Sequence, residues 1–125
     1  MDADAGEHEL AWRFHQHVVG DVDALKRRGY NPTYFLGMIR QHGSAVAVTK
    51  ILLSSSRHTT YGFQRLWEMG ELGRSVEFTA LLPWFAALFT NDELDEARSR
   101  LALHEFPVEE RLVSATADPP GWVSQ

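Results

Sequence analysis

From Leu10 to Leu25 the apolar residues Leu10, Ala11, Phe14, Val18, Val22 and Leu25 return every three or four positions. That spacing builds one stripe on a helix and scatters across both faces of a strand. It predicts an amphipathic helix over residues 7–28, with Lys26, Arg27 and Arg28 in the last turn, where cations complement the helix dipole. Gly29 is its natural stop. Nowhere does the chain show a convincing two-residue alternation, so the pattern points to an all-α fold.

The same punctuation recurs downstream. Asn31 reads as an N-cap and Pro32 as the first helical residue of a segment that runs to about His42 and stops at Gly43. Phe35, Met38, Ile39 and His42 share one side of it. Ser44 caps AVAVTKILLSS, which is apolar nearly all round and is therefore placed centrally. The hydroxyl-rich loop SSSRHTT follows, then a short helix from Tyr61 to Met69 that closes at Gly70. Gly73-Arg74-Ser75 breaks the chain, Ser75 caps a helix through Leu82, and Pro83 restarts it as PWFAALF. Thr90 and Glu93 form a capping box, each side chain satisfying an amide at the start of a helix that ends near His104. That helix uses Leu94, Ala97, Leu101 and Leu103 to reach its neighbours and carries its charges on the wet side.

The expectation is a compact single-domain bundle of about five to six helices over residues 7–106. A disordered N-terminus at 1–6 precedes it, and a flexible tail at 107–125 follows, with at most one helical turn at 109–115. A chain of 125 residues can bury a core without metals or disulfides. The absence of cysteine excludes thiol catalysis, disulfides and thiolate metal sites. No apolar run approaches the roughly 20 residues that span a bilayer, and MDADAGEHEL lacks the charged-then-apolar pattern of a signal peptide. A cytoplasmic protein without membrane association is expected.

Charge is unevenly distributed. Between Asp23 and Glu68 there is no acid, while Lys26, Arg27, Arg28, Arg40, Lys50, Arg57 and Arg65 fall in that stretch. The three parts 1–23, 24–67 and 68–125 carry −5, +7 and −7. A basic middle third suits phosphate, nucleic acid or an acidic protein partner. The loop Ser54 to Thr60 leads into a helix N-terminus, whose amides and dipole, with hydroxyls and one arginine, can cradle an anion. The candidate anion- or partner-binding residues are Arg40, Lys50, Ser56, Arg57, His58, Thr60, Tyr61 and Arg65. The plainer alternative is that the hydroxyls cap and turn the backbone while Lys50 lays its stem on the core and lifts its ammonium into water.

Tyr30, Tyr34, Tyr61, Phe63 and Trp67 interleave with these cations, as in proteins that grip single strands by stacking. Phe63 and Trp67, four apart, also have ordinary core spacing, and the tyrosines are expected to be partly exposed. No base-reading motif is present, so any nucleic-acid contact would be weak and salt-sensitive.

Catalytic and metal chemistry find little support. Glu68, Glu71 and Glu77 are central carboxylates, but Glu77 follows a cap and Glu68 sits near basic residues, so salt bridges and dipole effects explain both. The six histidines include no HExxH; His17 and Asp21, four apart, form one weak clip, and His42 reads as a satisfied core or capping histidine. No catalytic residue, metal or cofactor is assigned.

The pieces YNPTYFLGMI, Gly43 with AVAVTKILL, YGFQRLWEMG, SVE and LFTNDELDEARSRL cover about 70 residues in a consistent order. In these the chain resembles a small bacterial family of uncharacterised proteins. The resemblance implies a compact helical fold, in proteins that occur alone or near nuclease-like proteins, and implies no particular activity. The chain departs from that pattern at Glu71-Leu72-Gly73-Arg74-Ser75, where the family commonly has a basic residue and then Leu-Asp-Leu-Thr. A ligand contact made by that turn would be altered here.

The leading expectation is a non-enzymatic binding module docking an anionic partner through the basic segment. One alternative is a small enzyme with a pocket at the 54–63 loop, using Lys50 and Glu68. Another is a protein–protein adaptor or homodimer using PWFAALF or Trp122 as an exposed apolar patch.

Overall fold

Helix α1 (Ala3–Arg27) ends where the sequence says it must. Gly29 takes φ +92°. The Tyr30 amide then donates back to the Leu25 carbonyl at 3.0 Å and the Gly29 amide to Lys26 at 2.9 Å, the paired bonds of a left-handed C-cap. The computed structural model describes residues 3–54 and 61–123, and among these there are seven α-helices, two short 3-10 turns and no strand. The all-α reading therefore holds. Two boundaries differ from expectation. The helix starts at Ala3 rather than at residue 7, because extending a nucleated helix costs little. The C-terminal segment holds a full helix, α7 (Val108–Thr116), because Val108, Leu112 and Ala115 recur at helical spacing and pack on the core.

Helices α2 (Thr33–His42), α3 (Ala45–Leu53), α4 (Tyr61–Glu68), α5 (Val76–Leu81) and α6 (Asn91–Leu103) complete the bundle. Three caps form as read. The Ser44 and Ser75 hydroxyls accept from the amides of Ala47 and Phe78, and Thr90 and Glu93 make a reciprocal capping box. Asn31 does not cap α2: Pro32 occupies the cap position, and the Asn31 carbonyl accepts from the Thr33 amide at 2.8 Å.

The core runs through α1, α3, α5 and α6. Phe14, Phe85 and Phe89 meet edge-on with ring centres 5.2 and 5.3 Å apart, and Leu101 and Val48 are fully buried. Helix α3 packs against α1, α2, α5 and α6, the central place expected of it. Helix α5 is still more enclosed, with Glu77 to Leu81 all buried. PWFAALF faces inward and is no surface patch: Phe85, Leu88 and Phe89 are core, and Trp122 from the tail packs on Phe85. Among the described residues the exposed large apolar ones are instead Trp12, Tyr34, Trp67, Leu103 and Val113. Among the described residues no helix is long and apolar enough to cross a membrane.

Candidate functional site

Of the sequence-predicted residues, the described Arg40, Lys50 and Arg65 lie on three different helices, α2, α3 and α4. Ser56, Arg57, His58 and Thr60, with the side chain of Tyr61, lie outside the described residues. Arg40 is exposed at the end of α2. Arg65 pairs with Glu68 at 3.6 Å on the surface of α4. Lys50 is partly exposed and ion-paired. Its ammonium lies 2.8 Å from Glu93 Oε1 and 5.4 Å from the centre of the Phe89 ring. The same Glu93 oxygen accepts from the Thr90 amide at 2.8 Å, so one carboxylate closes the capping box and ties α3 to α6. Burial raises the Glu93 pKa, but the hydrogen bond and charge of Lys50 and the Thr90 amide outweigh it. The carboxyl therefore sits below its ordinary value.

Trp67 leaves the core as well: it is 46% exposed and sits edge-on to His104 at 5.3 Å, while Phe63, on the same helix, is buried. His42 is exposed rather than satisfied in the core.

A cleft of about 470 Å³ opens elsewhere, between α1, α2, α4 and the start of α5. One wall is the α1 stripe Val18, Val22 and Leu25, which places Asp21 in the same wall. The opposite wall comes from the turn after α1 and from α2, through Tyr30, Phe35 and Met38. Leu52, Phe63 and Leu66 close the back, with Val76 and Glu77 at the base. Gly62 and Phe63 belong to the segment suspected of forming a pocket, but Lys50 and Glu68 do not line this one.

Helix α2 explains why the cleft stays open. Its apolar residues Phe35, Leu36, Met38 and Ile39 are all only half-buried, and none of its ten residues is fully buried. Between Pro32 and Gly43 it is anchored chiefly against α3, which leaves part of its apolar face over the cavity.

The polar frame is made of arginines. Arg100 is 3% exposed, although its place on α6 had been read as the wet side. Its guanidinium donates to Leu52 O at 2.6 Å, to Glu96 Oε2 at 2.7 Å and to Glu77 Oε2 at 3.3 Å. It thus satisfies a carbonyl at the end of α3, which has no partner inside its own helix, and neutralises the acid at the cleft base. Burial pushes the Glu77 carboxyl above its ordinary value; its own backbone amide and Arg100 pull back, and nearby Glu96 adds to the rise.

At the rim, Arg74 Nη1 lies 3.2 Å from Asp21 Oδ1 and Arg74 Nε lies 3.3 Å from Glu71 Oε2. Arg28 Nη1 reaches the same Glu71 oxygen at 3.0 Å. His17 Nε2 is 3.3 Å from Asp21 Oδ2, an ion-pair distance without hydrogen-bond geometry. The turn at 71–75 is therefore a latch between the start of α5 and α1. Gly73 leaves room beside it for Arg111, whose guanidinium lies 4.9 Å from the Phe106 ring.

The sequence signal for this site was the acid Asp21 within an apolar stripe and Arg100 three residues after buried Ala97. Both were legible only as exceptions to a pattern. Among the described residues no group of three His, Asp or Glu is placed to hold a metal. No protein-family model, curated protein or solved structure matches the chain.

Proposed function

We propose that the protein is a small helical binding module whose ligand enters the cleft beneath α2. The observation that carries this reading is the cleft itself: about 470 Å³, walled by Val18, Val22, Phe35, Met38, Phe63 and Leu66, with the charged groups among the described residues at rim and base. Ligand sites of this kind occupy about 300–1,000 Å³ and are mostly apolar, with few polar groups to orient the ligand. Covering the half-buried face of α2 supplies the favourable free energy, since each Å² of apolar surface removed from water contributes about 25 cal/mol. A cytoplasmic location belongs to the same reading.

The test is fluorescence titration with the neutral apolar dye N-phenyl-1-naphthylamine, on the parent chain and on Val76→Phe and Met38→Trp, which add bulk inside the cleft. Saturable binding by the parent, weakened about tenfold or more in both folded variants, supports the reading. Unchanged binding in both would place the dye elsewhere and refute it.

The basic stretch sustains a second reading, docking of an acidic protein or nucleic acid. Its support is that Lys26, Arg27 and Arg40 are exposed, and among the described residues no ion pair to them is seen. Arg28, Lys50 and Arg65 are each matched by a carboxylate, which reduces the charge on offer. Retention on heparin that disappears on Lys26→Ala, Arg27→Ala and Arg40→Ala combined would favour it; a column flow-through at low salt would remove it.

A further inference from the structure

The ion pairs around the cleft bear on which ligands it admits. Among the described residues three charged side chains line it: Asp21, Arg74 and Glu77. At the rim, Arg28 and Arg74 face Asp21 and Glu71, two cations to two anions, with His17 beside Asp21. At the base, the single guanidinium of Arg100 serves both Glu77 and Glu96, so carboxylates there outnumber cations. Each described arginine at the cleft is thus already engaged by at least one carboxylate. Among the described residues an entering anion would lose its hydration and find no uncommitted cation.

We infer that the cleft selects neutral, largely apolar organic molecules and rejects anions of the same shape; this rests on the ligand-binding reading above. The bias against anions comes from the paired arginines at the rim and the surplus carboxylate at the base, while the apolar walls set the shape.

Two dyes with one skeleton separate the inference from the reading it rests on. N-phenyl-1-naphthylamine is neutral, and 8-anilinonaphthalene-1-sulfonate is the same skeleton bearing a permanent anion. Fluorescence titration of the full chain is expected to give at least about tenfold tighter binding for the neutral dye. Asp21→Asn leaves Arg74 with less opposing charge and should narrow that ratio; Glu71→Gln is the second variant, should the first not fold. Sulfonate binding as tight as the neutral dye overturns the inference and leaves the ligand site standing. An unchanged ratio in both folded variants overturns its electrostatic cause. Binding of neither dye to a chain that is helical by circular dichroism overturns both the inference and the site.

Discussion

Replacing Arg100 by leucine would take from Glu77, which is 4% exposed, its guanidinium partner, and from the Leu52 carbonyl a donor at 2.6 Å. Losing one partner of a buried pair costs about 3–5 kcal/mol, so urea unfolding of Arg100→Leu should show a loss of that order. A loss under about 1 kcal/mol would mean the network is not formed. Arg100→Lys should rescue little, because one ammonium cannot reach three acceptors spread over α3, α5 and α6.

Glu77 gives this network a pH signature. Its folded pKa lies above the ordinary 4.5, so the folded state holds the proton more tightly than the unfolded chain. Stability therefore falls as pH rises from about 4.5 through the raised value, and Glu77→Gln lacks that fall. In urea melts across this window the variant should gain on the parent as pH increases. Glu93 works in the opposite direction: its folded pKa is lowered, so its contribution is present above 4.5 and disappears as pH drops through the depressed value. Neither role follows from residue type alone, since the spacing that sends Ala97 and Leu101 inward also carries Arg100, and only packing shows that its partners are buried with it.

Among the elements, most boundaries set by local chemistry are legible in the sequence, the Asn31 cap being the exception. Ser44, Ser75, Thr90 with Glu93, and the stops at Gly29, Gly43 and Gly70 act through bonds a few residues apart, and all appear. What depends on distant partners was not readable: the exposure of Trp67, the inward turn of PWFAALF, and the open space under α2. The end of α6 offers a direct check. Glu105 adopts φ +60°, and the Phe106 amide donates to the Leu101 carbonyl at 3.0 Å, the geometry that glycine makes without strain. Glu105→Gly should stabilise the chain by about 0.5–1 kcal/mol in chemical denaturation. Helix α2, with no fully buried residue, should exchange its amide hydrogens faster than α5. Binding of N-phenyl-1-naphthylamine should slow α2 more than α6.

Across the whole molecule, two ionic assemblies serve one cavity. Arg28, Glu71, Arg74 and Asp21 latch α1 to the turn before α5, and Arg100 ties α6 to α3 and α5 behind the cleft. The acid-free stretch that dominates the sequence is absorbed in part by this architecture: three of its seven cations, Arg28, Lys50 and Arg65, meet carboxylates from the acidic segment that follows it. The segregation of charge was therefore visible in the chain, but its use as internal pairing required the fold. The most direct measurement is a methyl NMR titration with N-phenyl-1-naphthylamine. The account predicts shifts concentrated at Val18, Val22, Met38, Leu66 and Val76, with the methyls of Leu101 and Val113 unmoved. Shifts centred on Val113 and Leu103, or none anywhere at saturating dye, would contradict it.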